Sequence, residues 1–227
     1  MDQIRLNKFL AERLGISRRE ADDIIVARKV FLNEKPAELG ARLDKNDKVC
    51  YNGKIVPFET AFLYLAFNKP VGYVCSRRTQ GNTPTLYELL PEKYHKLKTV
   101  GRLDKDSSGL ILLTNDGDFA FQMTHPKFHK EKVYQVELDL PLEPLHQQMI
   151  SDFGVKLEDG VSKFAVIRDE SDNDRKRFTV ILSEGRNRQI RRTFASLGYT
   201  VTKLHRITFG KYSMDGLAPG KYVIIKP

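Results

Sequence analysis

"GRLDKDSSGLILLTNDGD", residues 101–118, joins a Gly/Ser-rich turn to the apolar run Gly109–Thr114 and then to a second polar turn. The apolar run has the length and bounding turn signals of a buried strand. Asp104 stands in the first turn, between Arg102 and Lys105. An aspartate so placed ordinarily caps the backbone, because its side chain can bond the amides just after it. The residues it meets elsewhere in the chain decide between that role and a chemical one.

Outward from this stretch, strand patterns recur at "LYLAF" (63–67), "VYQVELDL" (133–140), "FAVIRDE" (164–170), "RFTVIL" (177–182), "YTVTKL" (199–204) and "KYVIIK" (221–226). Helical patterns are fewer, the best being "DGDFAFQMTH" (116–125) and "RQIRRTFASLG" (188–198). Strands with scattered helices predict an α+β domain on a largely antiparallel mixed sheet with flanking helices, over residues 62–227. No repeat, low-complexity tract, Walker loop or dinucleotide fingerprint occurs, so a bound nucleotide cofactor has no support.

The first 58 residues read differently. "IRLNKFLAERLG" (4–15) places Ile4, Leu6, Phe9, Leu10 and Leu14 on one helical face, and Gly15 ends it. "SRREADDIIVARK" (17–29) opens with Ser17 and Glu20 in capping-box register, which predicts a second helix from Arg18 with Arg18 and Arg19 in its first turn. Short strands follow to Val56, with Asn52-Gly53 as a hairpin turn, and "PFETA" (57–61) reads as a linker. The expected organisation is therefore a small α/β module, residues 1–58, ahead of the larger domain.

The 227 residues carry 38 Lys and Arg against 29 Asp and Glu, a formal charge of +9 that suits a polyanionic partner. Residues 183–206 concentrate it, with six basic side chains and one acid. No apolar stretch approaches the roughly 18 residues of a membrane span, and "MDQIRLNKFL" lacks a secretory pattern. A cytoplasmic protein with no membrane association is expected. Cys50 and Cys75 form no close pair, which argues against a disulfide framework. His125 and His129 lack an evident third ligand, so no metal site is expected.

"RLNKFLAERLGISRREADDII" followed by "VFLNEK" resembles the S4 RNA-binding domain. The likeness implies that Arg5, Lys8, Arg18, Arg19 and Lys29 contact RNA phosphates. Such contacts position a protein on RNA more than they read sequence. "GRLDKDSSGL" resembles the active-site motif of pseudouridine synthases. "KEKVYQV" (130–136) resembles their tyrosine-bearing motif, "EGRNRQIRR" (184–192) their third, and "NKPVGYVCS" (68–76) the strand and turn before the catalytic motif. The branch implied is the one containing the ribosomal small-subunit enzyme and its large-subunit relatives.

That resemblance makes Asp104 the catalytic aspartate and Arg191 the guanidinium that orients it. It makes Tyr134 a base-stacking residue suited to managing the C5 proton, with Leu204 on the other side of a flipped uracil. Lys69, Arg102, Arg186, Arg188 and Gln189 are the further expected substrate contacts, and Arg102 could instead face the RNA backbone. A carboxylate assists the isomerisation either by attacking a ribose or base carbon or by taking a ribose proton. The rearrangement has no net redox change, so no cofactor is expected. The expected partner is ribosomal RNA, with a slight preference for the small subunit, or an assembly intermediate, and the protein is expected to be a monomer. The alternatives are a large-subunit target or a non-catalytic RNA-binding assembly factor.

Overall fold

Residues 3–59, 61–77, 81–171 and 173–227 are described in the computed structural model of the chain. It divides into two compact units: residues 1–63 with 96–98 and 114–117, and the remainder. In the first, helix α1 (Leu6–Leu14) ends at Gly15, whose left-handed φ of 70° is the usual conformation of a glycine that closes a helix. Ile4, expected on the apolar face of that helix, instead lies in a two-residue strand, Ile4–Arg5, paired with Arg42–Leu43. The Leu6 N–H donates to the Ala41 carbonyl at 2.8 Å, so the chain reaches α1 already extended.

Helix α2 (Arg18–Val26) begins as its capping box requires. Glu20 N–H donates to Ser17 Oγ at 3.1 Å, and Ser17 N–H donates to Glu20 Oε2 at 2.7 Å. A four-stranded sheet follows, and its last hairpin turns at Asn52 and Gly53, both with positive φ as a two-residue hairpin demands. Leu6, Phe9, Leu10, Ile25, Val30 and Leu43 form the core. The start of the expected linker belongs to this unit rather than bridging freely: the Phe58 ring lies 4.6 Å from that of Phe9, and Arg13 donates to the Phe58 carbonyl. An apolar surface on α1 was available to capture Phe58. Thr60, within the same segment, lies outside the described residues.

The larger sheet contains strands β1 (Tyr64–Lys69), β2 (Ser108–Thr114), β3 (Lys132–Leu138), β4 (Ala165–Arg168), β5 (Arg177–Leu182), β6 (Val201–Phe209) and β7 (Tyr222–Ile224). Their order is β4-β5-β3-β6-β2-β1-β7. The β3–β5, β3–β6, β4–β5 and β1–β7 pairs are antiparallel, while β6 meets β2 in parallel over His205–Ser108 and Arg206–Gly109. Helices α3 (Gly117–Thr124), α4 (Pro144–Gln148) and α5 (Gln189–Ala195) flank it. The architecture is the expected mixed α+β. Strand β6 runs five residues past the expected "YTVTKL", which carries Arg206 into the sheet.

Two features of the sheet aim side chains. A register shift between Val133 and Tyr134 pairs Val133 with Thr208 but Tyr134 with Arg206, leaving Ile207 bulged. Gly109, at φ +107°, lies so close to β6 that a Cβ there would fall 2.2 Å from the Arg206 carbonyl oxygen. Only glycine permits that approach.

Candidate active site

The loop carrying Asp104 is pinned on both sides of the residue. Leu103 N–H donates to Cys75 Sγ at 3.3 Å, and the Cys75 thiol donates back to the Leu103 carbonyl at 3.4 Å. Gly72 N–H donates to the Lys105 carbonyl at 2.8 Å, and Ser107 N–H closes the turn onto the Asp104 carbonyl at 3.1 Å. Lys69, fully buried, donates its ammonium to the carbonyls of Ser107 (2.7 Å) and Pro70 (2.9 Å). The backbone is held and the Asp104 carboxylate is left about one-third exposed. Among the described residues it accepts no backbone amide, so the ordinary capping role does not apply.

Burial raises the pKa of the Cys75 thiol and lowers that of Lys69. Lys69 was expected to contact substrate. Strand β1 is buried along its whole length, so the side chain of Lys69 lies in the interior and braces the loop. Its position is a correction to the sequence reading.

The guanidinium within ion-pair distance of Asp104 is that of Arg188, and the charge of Arg191 also acts on that carboxylate. Arg188 Nη1 lies 3.6 Å from Asp104 Oδ2, and Arg188 grips Asp106 with both nitrogens at 3.0 and 2.9 Å. Arg191 instead donates to the Val201 carbonyl at 2.6 Å and to the Asp106 carbonyl at 2.9 Å, with Nε 3.3 Å from the Asp106 carboxylate. The hydrogen bond from Arg188 holds Asp106 below the usual carboxylate range, and burial lowers the pKa of Arg191. Arg188 reaches the loop because it precedes α5 in a left-handed conformation, φ 46°. Arg191, one turn further along, meets the backbone.

Asp104, Tyr134 and Leu204 line one cavity of about 340 Å³ in the larger unit. Tyr134 and Leu204 are buried on adjacent antiparallel strands, two positions apart in register, at a spacing that suits a flat ring between them. Arg102, exposed, Arg186 and Arg188 also line it. Arg186 is engaged by the Asp159 and Val161 carbonyls and the Asp159 carboxylate. Gln189, an expected substrate contact, is buried; it donates to Ser162 Oγ at 3.1 Å and to Glu184, and accepts from Arg186 N–H. Its amide shapes the wall of the cavity.

Two cations in the cavity escaped the sequence reading. Arg206, directly across from Tyr134, is 2% exposed, and Lys132 points its ammonium at the carbonyls of Lys130 (3.2 Å) and Glu184 (3.3 Å). Burial, with Arg206 adding to it, pushes Lys132 down to about 8. The signal for Arg206 was present: it lies two residues from Leu204 on a strand, so both face the same side. Among the described residues, no cluster of His, Cys, Asp or Glu is placed to hold a metal ion, and no helix is long and apolar enough to cross a membrane.

In the first unit, Arg5, Arg18, Arg19 and Lys29 are exposed and Lys8 is half-buried. Arg18 and Arg19 occupy the first turn of α2, and Arg18 reaches Asn7 of α1 at 3.3 Å.

A buried tyrosine and leucine that share a cavity with a carboxylate, in a chain whose first unit presents Arg18 and Arg19 at a helix start, suit an enzyme that acts on RNA. The family model described as RNA pseudouridylate synthase matches residues 63–196, and that of the S4 domain matches residues 4–49. The chain belongs to the RNA pseudouridylate synthase family. It is similar to ribosomal small subunit pseudouridine synthase A of Pasteurella multocida, 37% identical over 226 residues, covering 96% of this chain and 94% of that protein. It is similar also to ribosomal large subunit pseudouridine synthase B of Buchnera aphidicola, 33% identical, covering 97% and 93%. A crystal structure of a pseudouridylate synthase superposes with a TM-score of 0.70 at 30% identity, covering 98% of this chain and 96% of that one.

Proposed function

We propose that this protein isomerises a specific uridine of ribosomal RNA to pseudouridine, acting in the cytoplasm as a monomer, with Asp104 as the reacting carboxylate. The observation that carries the reading is the meeting of Asp104, Tyr134 and Leu204 in one cavity. A uridine turned out of its helix stacks between the Tyr134 ring and Leu204, which leaves its ribose toward Asp104. The carboxylate, oriented by Arg188 and by a loop that Lys69 and Arg191 hold still, attacks the ribose or base, or removes a ribose proton. The Tyr134 hydroxyl stands by the base to manage the C5 proton. Arg102 and Arg188, at the exposed side of the cavity, face RNA phosphates, and Arg5, Lys8, Arg18, Arg19 and Lys29 of the first unit add more.

The target we favour is small-subunit ribosomal RNA, and "KPVGYVCS" (69–76) supports it. The full-length similarity to small subunit pseudouridine synthase A points the same way. A large-subunit target is the second reading, supported by "EGRNRQIRR" and by the similarity to synthase B. Mapping pseudouridine in ribosomal RNA from cells with and without the protein separates them. Loss of one small-subunit pseudouridine is expected; loss of a large-subunit one supports the second reading, and an unchanged map overturns both.

A further inference from the structure

Arg206 is a large, buried charged side chain whose place in the cavity the reading above leaves unused. It is 2% exposed, its Nε donates to the Leu110 carbonyl at 2.7 Å, and its guanidinium lies 4.8 Å from the centre of the Phe209 ring. Its Nη2 is buried without a hydrogen-bond partner. Among the described residues no carboxylate comes within ion-pair distance of it. Lys132, the nearby second cation, has its own carbonyl partners and adds positive potential. A buried cation with no counter-charge is costly to a fold, so a site that keeps one is built for something that arrives.

We propose that Arg206 binds a carbonyl oxygen of the flipped uracil and stabilises the negative charge that reaches that oxygen when the base leaves the ribose. The inference rests on the reading of the cavity given above. Arg206 is paired across the sheet with Tyr134, and both line the cavity with Leu204. A base stacked on Tyr134 therefore presents an edge to residue 206, whereas phosphates meet the exposed Arg102 and Arg188.

The chemistry asks for such a group. When the N1–C1′ bond breaks, its electron pair leaves with the base, and the resulting uracil anion shares its charge between the two carbonyl oxygens. C1′ is left electron-poor until Asp104 bonds to it or a ribose proton is lost. C5 then gives an electron pair to C1′ as the Asp104–C1′ bond breaks, or as the lost proton returns to the ribose carbon; the C5 proton departs and N1 takes up a proton, so the product is an isomer. Neutral uridine gains little from a guanidinium, and the departing anion gains much, which makes the interaction stronger in the transition state than in the ground state.

The test uses full-length protein and full-length small- and large-subunit ribosomal RNA transcripts carrying tritium at uridine C5, which is released as the product forms. Single-turnover rates at saturating RNA, RNA affinity and thermal melting are measured for wild type, Arg206→Met and Arg206→Lys. Arg206→Met is expected to lose about 100-fold or more in the saturated rate, to keep RNA affinity within about threefold and to melt no lower than wild type. Arg206→Lys is expected to recover part of the rate. An Arg206→Met rate within about fivefold of wild type, a loss confined to affinity, or a lowered melting temperature overturns the inference. No release by wild type from either transcript removes the reading of the cavity itself, and this inference with it.

Discussion

Replacing Gly109 with alanine probes the joint on which the site is assembled, because this residue brings the strand after the Asp104 loop against the strand that carries Leu204 and Arg206. The added Cβ falls 2.2 Å from the Arg206 carbonyl oxygen and 2.6 Å from its nitrogen, against a floor of 3.0 Å for real Cβ contacts. Strand β6 or β2 must therefore move by at least about 0.8 Å. The φ of +107° also costs an L-residue about 1–3 kcal/mol, and forced overpacking about 1–3 kcal/mol more. Allowing for incomplete additivity, Gly109→Ala should lose about 2–4 kcal/mol and melt about 5–15 °C lower. Because the shift separates Asp104 from Tyr134 and Leu204, the saturated rate should fall even well below the melting temperature. Circular dichroism melts and single-turnover tritium release test both parts. A Gly109→Ala protein that melts within about 1 °C of wild type refutes the close approach and the reasoning built on it.

Lys69→Met should lower the saturated rate and leave RNA affinity unchanged, because the ammonium braces the Asp104 loop from inside; a loss of affinity at constant rate would restore it as a substrate contact. RNA affinity should fall as pH rises through about 8, where Lys132 loses its charge, and Lys132→Arg should flatten that profile. The depressed Lys132 pKa means that between about 8 and 10.5 the folded protein holds fewer protons than the unfolded chain. Stability relative to Lys132→Arg should therefore rise with pH across that window, as urea titrations at pH 7.5 and 9.5 would read. Replacing Arg18 and Arg19 with alanine should weaken RNA binding and flatten the log–log salt slope by about 0.7 to 0.9 per lost contact. An unchanged slope would show that neither arginine touches phosphate.

Features set by neighbouring residues were legible in the sequence. Ser17 and Glu20 announce the α2 cap, Asn52-Gly53 the hairpin, and the alternation around Tyr134 the buried face of β3. Motif likeness brought Asp104, Tyr134 and Leu204 together before the fold did, and the three line one cavity. What escaped depends on distant partners. Nothing local tells that Lys69 finds the Ser107 carbonyl 38 residues away, or that the left-handed turn at Arg188 brings it to Asp104 and Asp106 while Arg191 shares Asp106 and also holds backbone carbonyls. Ile4 carries a helix-compatible spacing, yet a strand partner at Leu43 claims it. Arg206 was concealed by its type: period-2 alternation places it on the buried face, but arginine is so seldom buried that the pattern reads as a strand end.

If the Asp104 carboxylate carries the isomerisation, Asp104→Asn removes it with the least change in size. The measurement is pseudouridine formed in full-length ribosomal RNA under single-turnover conditions at saturating RNA, with affinity determined on the same preparation. Product should fall below detection while RNA affinity stays within about twofold, since an anionic side chain is not itself a phosphate contact. Turnover within tenfold of wild type would contradict it.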